Sequence, residues 1–193
     1  MNSAARIERQ RKGNLERWYK DYSGNRAVHT QPLAIHRPVH GGDIRMLCDI
    51  KERPELVLVV NRWHEEAVLI VPFSPYAFPA VELELRIGET LPVEQSVLQV
   101  WNARTIGTEF IENSRWCGRV SRGTCDEVSI MLRHHWLCEG LGDLGGALGR
   151  LGPAWHEIPD SMGKILHKYM EDEIAVFADI DAADLAKLDG YDE

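Results

Sequence analysis

Hydrophobic positions change their spacing along the chain, and each change predicts a different kind of element. Ile7, Leu15, Trp18, Tyr19 and Tyr22 recur at helical intervals among arginines and lysines, which predicts a helix over residues 4–22 with one thin apolar stripe. A stripe that narrow has to lie on something. Ser23-Gly24-Asn25 ends it, and Pro32, Pro38 and the Gly41-Gly42 pair mark residues 31–42 as an extended linker.

From Asp43 onward the period is that of strands. Residues 44–50 form the first. Leu56–Val60 and Ala67–Phe73 are continuous apolar runs, which suit strands covered on both faces, and the turn over residues 61–66 makes them a hairpin. Val81-Glu82-Leu83-Glu84-Leu85 alternates strictly, predicting one wet face. Residues 96–105 and 116–121 complete about six strands at short spacing, the pattern of a small closed barrel or half-barrel.

Helical spacing then returns. Thr124-Cys125-Asp126-Glu127 has the form of a capping box, opening a helix with Val128, Met131, Leu132 and His135/Trp136 on one side and Gly140 at its end. Leucines 141, 144, 148 and 151 stand among five glycines, a weak helix or hinge; without a Lys-Ser/Thr ending or a preceding strand it is no phosphate loop. Met162, Ile165, Leu166, Tyr169 and Met170 define an amphipathic helix capped by Asp160 or Ser161, and a shorter one follows over residues 181–188. The fold class is therefore α+β, mainly β with flanking helices. Its parts are a basic helix and linker (1–41), a strand-rich domain (42–140) and a Gly-rich hinge with a helical extension (141–193).

Charge separates these parts. Residues 1–42 carry eight Lys/Arg against three acids, whereas residues 154–193 carry three Lys against eleven acids, within a chain of net charge −8. An acidic whole argues against a general nucleic-acid coat and leaves room for a local basic groove. No apolar run reaches the ~18 residues of a membrane span, and the polar, arginine-rich start lacks a signal-peptide core, so no membrane association is expected and the cytoplasm is the default compartment. Cys48, Cys117, Cys125 and Cys138 lack zinc-ligand spacing. A site from Cys117, Cys125, Cys138 and His134 or His135 can be drawn, but buried apolar thiols are the plainer reading, and no metal or cofactor is expected.

The order of short motifs adds more than any one of them. Gly42-Asp43-Ile44 opens the first strand, and Arg53-Pro54 leads into the second. Val71-Pro72-Phe73-Ser74 ends the third, followed by the aromatic stretch Tyr76-Ala77-Phe78 and by Val81-Glu82-Leu83. Val100-Trp101-Asn102-Ala103-Arg104-Thr105 and Cys117-Gly118-Arg119-Val120-Ser121 precede the capped helix. This string, about 95 residues or half the chain, resembles the MazF/PemK (Kid-like) toxin family.

The resemblance implies a small SH3-like β-barrel of the MazF/PemK/CcdB type, a homodimer that cleaves single-stranded RNA without a metal, and an antitoxin protein as partner. Arg53 matches the family's catalytic arginine and Ser74 the position of its catalytic threonine. RNA carries its own nucleophile, the 2′-hydroxyl, so the enzyme has only to orient it, stabilise phosphorane charge and assist proton transfer. A guanidinium and a hydroxyl suit that task. Arginine stays protonated and is a poor base, so His64, Glu52 or Asp49 is needed beside it; His64 also reads as an exposed turn residue. Arg104 and Arg119, with Arg115 and Arg122, are candidates for phosphate contacts. Trp63 and Trp101 are candidates for base stacking, or for core or dimer interface.

Two departures matter. Only residues 49–52 separate the first strand from Arg53-Pro54, where the family has a longer glycine-containing loop, and Val100-Trp101-Asn102 replaces its V-D-Q segment. The alternative is thus a non-catalytic barrel serving as a protein- or nucleic-acid-binding module. Antitoxins of this kind block the RNA groove with acidic segments; residues 154–193 either do so in cis or form a solvated helical cap.

Overall fold

The computed structural model describes residues 3–23, 37–47, 54–62, 66–178, 180 and 181. Helix α1 spans Ser3–Tyr22. Strands β1 (Asp43–Leu47), β2 (Glu55–Arg62) and β3 (Ala67–Pro72) follow, then β4 (Glu84–Arg86), β5 (Val97–Gln99) and β6 (Arg104–Gly107). The short α2 (Thr108–Glu112), strand β7 (Arg115–Arg119), helix α3 (Arg122–Leu137) and helix α4 (Asp160–Ala175) complete the order. No described helix is long and apolar enough to cross a membrane.

Five strands pair antiparallel in the spatial order β6-β3-β2-β1-β7, and β4 and β5 form a separate small sheet. The apolar runs in β2 and β3 are explained by burial on both faces. Leu56, Leu58, Leu69 and Val71 pack with Val128, Met131 and Leu132 of α3. Val57, Val59, Val68 and Ile70 pack with Ile106, Ile111 and, beyond α4, Val176, Phe177 and Ile180.

The expected closed barrel is not what the described residues form. Residues 96–105 are not one strand: a 3-10 turn at Val100–Asn102 breaks them, sending β5 to the small sheet and β6 to the edge of the large one. The chain then passes through α2 before β7 pairs with β1 at the far edge, so β6 and β7 never meet. A bridge from Phe73 to Leu98 joins the two sheets, and helices cover the open faces instead.

Three local expectations are also corrected. Glu84 is fully buried rather than on a wet face, because a turn from Val81 precedes it and α4 lies over the strand. Helix α3 is capped by Ser121, whose side chain accepts from the Thr124 amide, while the Thr124 hydroxyl donates to Glu89. It ends at Cys138 in the left-handed conformation, before Gly140. The predicted segment over 181–188 lies almost wholly outside the described residues.

Helix α1 lies where its thin stripe requires support. Leu15 and Trp18 are buried against Tyr76, Val81, Leu166 and Tyr169. Asn14 donates to the Leu151 carbonyl at 2.8 Å and Arg11 to that of Gly152 at 2.6 Å. Gly152 is pressed so closely on the Val81 backbone that a Cβ would fall inside contact distance of it. Backbone has no rotamer with which to yield, so Gly152→Ala is expected to lower stability by about 2–3 kcal/mol, read from the urea midpoint.

Candidate active site

Ser74 sits where the chain leaves β3 for the small sheet. Its amide donates to the Val97 carbonyl at 2.8 Å, and its hydroxyl accepts from the Tyr76 amide at 3.2 Å. The side chain is 0% exposed, because Tyr169 of α4 stands over it.

The Tyr169 phenol is the hub of a buried polar network. It donates to Glu84 Oε1 at 2.6 Å and accepts from Gln99 Nε2 at 2.9 Å. Its single proton is used on Glu84, so across the 3.0 Å contact with Ser74 Oγ the serine donates. Gln99 also reaches Glu173 at 3.2 Å. Glu84 further accepts from Trp101 Nε1 at 3.1 Å and from the Ala80 amide at 2.5 Å. Burial pushes the Glu84 carboxyl up to about 7; hydrogen bonds from Ala80, Tyr169 and Trp101 oppose the rise, and nearby Glu173 adds to it. Burial, with the charges of Glu84 and Glu173, holds the Tyr169 phenol well above its ordinary value.

The network continues to Arg104 on β6. Asn102 donates to Gln99 Oε1 at 3.1 Å and accepts from Arg104. Arg104 pairs with Asp181 at 2.8 Å and lies 4.5 Å from the centre of the Phe177 ring. Burial pulls its pKa down, and Asp181 works against that. Thus α4 and the residues after it place one phenol and two carboxylates on Ser74, Gln99 and Arg104.

The structure brings together Ser74, Trp101 and Arg104 and sets Arg119 apart. Trp101 forms part of the wall, its ring edge-on to Tyr169 at 6.2 Å, and is no open stacking platform. Arg119 lies on β7 at the opposite edge of the sheet, paired with Asp43 at 2.8 Å. Arg115 and Arg122 are exposed. Arg53, His64, Trp63, Asp49 and Glu52 lie outside the described residues, as does Cys48. Cys117 is buried, Cys125 half-buried and Cys138 exposed, and among the described residues no three His, Cys, Asp or Glu side chains gather as metal ligands.

Glu84, Gln99, Tyr169 and Glu173 were not singled out from the sequence as site residues. One signal was present: a tyrosine in an apolar helical stripe has a hydroxyl that needs a buried partner.

No family model and no curated protein matches the chain. Several solved structures are similar to parts of it, among them two endoribonucleases. An endoribonuclease in complex with its cognate antitoxin, from a mycobacterial species, is 17% identical with a TM-score of 0.44, covering 54% of this chain and 99% of that one. A mycobacterial endoribonuclease is 17% identical with a TM-score of 0.40, covering 49% of this chain and 88% of that one.

Proposed function

We propose that residues 42–140 are a toxin-like endoribonuclease for single-stranded RNA and that the acidic extension holds it latent. The observation that carries this reading is the position of the Tyr169 phenol oxygen. Three groups from separate parts of the chain, Ser74 Oγ, Gln99 Nε2 and Glu84 Oε1, converge on it within 3.0 Å. With α4 withdrawn, that point is where an oxygen of the substrate would sit, held by donors and facing a carboxyl. The ordered motifs of residues 42–136 and their resemblance to the MazF/PemK family support the same reading.

In the open state the work divides by chemistry. Arg53 and Arg104 supply guanidinium forks for the phosphate oxygens, where negative charge grows as the phosphorane forms. Ser74 donates to an oxygen of the reacting group. The 2′-hydroxyl attacks phosphorus and gives its proton to a base, for which His64, Glu52 and Asp49 are the candidates, while the P–O5′ bond breaks and the leaving oxygen takes up a proton; none of these steps requires a metal. In the closed state Glu173 and Asp181 put carboxylates where RNA would bring phosphates, and Phe177 packs against Arg104. A cytoplasmic homodimer, further restrained by an antitoxin protein, belongs to this reading.

The full burial of Ser74, with its hydroxyl satisfied, favours a second reading: a non-catalytic protein- or nucleic-acid-binding module stabilised by a polar core. Incubating the purified chain with single-stranded RNA separates the two. Slow cleavage that Arg53→Ala abolishes is expected under the first. RNA left intact by the wild type and by a variant with α4 unseated would establish the second.

A further inference from the structure

At the edge of the sheet opposite Ser74 a second group of side chains converges. Trp116 and Arg119 are three residues apart and in a regular strand would point to opposite faces. The register brings them together. Asp43 pairs with Arg119 and Ile44 with Gly118, but Arg45 pairs with Trp116, so Cys117 is the extra residue of a bulge. Asp43, Arg45, Trp116 and Arg119 therefore share one face, with the segment 37–40 held against it. Arg45 Nη2 donates to the carbonyls of Arg37 and Pro38, both at 2.7 Å, and the His40 amide donates to Asp43 at 2.9 Å. These residues leave a cleft of about 440 Å³ lined by Arg37, Pro38, His40, Asp43, Trp116 and Arg119. That volume suits a ligand of nucleotide size.

We propose that this cleft binds the phosphate group of a nucleotide, gripped by the guanidinium groups of Arg37 and Arg119. Arg37 lies 4.4 Å from the centre of the Trp116 ring, and such stacking leaves the in-plane N–H donors pointing outward. Arg119 spends two of its five donors on Asp43 Oδ1, at 3.0 and 2.8 Å, which fixes the plane of a side chain that is 52% exposed. Asp43 itself is buried. Burial raises its pKa, but hydrogen bonds from Arg119, the His40 amide and Arg45 outweigh this and hold it below the ordinary value, so it serves as a fixed anchor. Arg45 lies fully buried, with Nε and Nη1 lacking hydrogen-bond partners among the described residues. Among the described lining side chains and Arg45, there are three guanidiniums and one imidazole to one carboxylate, in a chain whose net charge is −8. A phosphate fits that excess of donors and positive charge.

The site is independent of the endoribonuclease reading, since Arg104 and Arg119 stand at the two edges of the sheet, roughly 19 Å apart by four strand spacings of about 4.8 Å. Isothermal titration of the full chain with AMP, inorganic phosphate, adenosine and a five-residue 2′-deoxy oligonucleotide tests it. AMP and phosphate are expected to bind saturably and adenosine not to bind. Arg37→Ala and Arg119→Ala should each weaken AMP about tenfold, the loss of one charge-assisted hydrogen bond, while Arg133→Ala, near the C-terminal end of α3, should not. An oligonucleotide binding tighter than AMP identifies the source as a strand; equal affinity identifies a free nucleotide. Adenosine binding as well as AMP, no saturable heat with AMP or phosphate, or AMP binding unchanged in both arginine variants would overturn the assignment.

Discussion

Tyr169→Ala is expected to raise cleavage of single-stranded RNA about a hundredfold over the wild-type chain. The ring packs against Trp18, Tyr76 and Trp101, with centroids 5.2, 5.6 and 6.2 Å away, and the phenol makes all three polar contacts at the hub. Truncating a buried aromatic ring costs about 3–5 kcal/mol. If α4 lifts as a unit, that loss falls on the closed state alone, and about 3 kcal/mol shifts a closed-to-open ratio by more than a hundredfold. Adding Ser74→Ala should remove the released activity while the circular dichroism of the sheet is unchanged. Should the alanine variant unfold outright, Asp181→Ala removes the ion pair to Arg104 and should release a smaller part of the same activity. Activity unchanged in both variants, with α4 demonstrably loosened, would sink the idea of a latent enzyme.

The second large effect concerns pH. The Glu84 carboxyl has an ordinary value of 4.5 and is held at about 7 in the folded chain, so the folded state takes up a proton more readily than the unfolded one. Its contribution to stability is therefore fully present below pH 4.5, declines between 4.5 and 7, and is lost above 7. A rise of that size corresponds to about 3 kcal/mol. Urea unfolding of the wild type and Glu84→Gln isolates it: the difference between the two should change by about that amount between pH 4.5 and pH 8. A difference independent of pH would show that Glu84 does not titrate in this interval. Because Glu173 also reaches Gln99 in the network, ionising Glu84 adds a second negative charge beside it, and α4 is expected to loosen at the alkaline end.

Much of the architecture was legible because it depends on local period. The apolar runs of β2 and β3 read as strands covered on both faces, and they are. The stripe from Met162 to Met170 read as one helical face, and it packs. What failed depended on something remote. Strict alternation at 81–85 put Glu84 in water, since alternation says which positions share a face but not what later covers that face. A continuous strand over 96–105 overlooked the turn at Val100–Asn102, and with it the closed barrel was lost. Ser121 and Thr124 are both plausible caps by residue type, and the choice was made by Glu89, more than thirty residues earlier.

The candidate site divides in the same way. Ser74 was legible from a motif with residues close in sequence. Tyr169 lies 95 residues from Ser74, and Gln99 meets Tyr169 and Glu173 across 70 and 74 residues; no local pattern records such pairings. Arg119 was grouped with Arg104 because both are basic residues within strand motifs. The order of strands separates them, and a single-residue bulge gives Arg119 different company. The acidic extension was legible as a possible cover from its charge alone; the phenol at its centre was not.

Competition between α4 and RNA tests the central claim most directly. Amide hydrogen exchange would be followed across residues 160–175 in the full-length Arg37→Ala/Arg119→Ala variant, whose second phosphate site is disabled, with and without a saturating 2′-deoxy oligonucleotide that cannot be cleaved. Bound oligonucleotide is expected to raise exchange throughout α4 while the amides of β2 and β3 stay protected. Protection of α4 that is unchanged with the oligonucleotide bound would contradict the account.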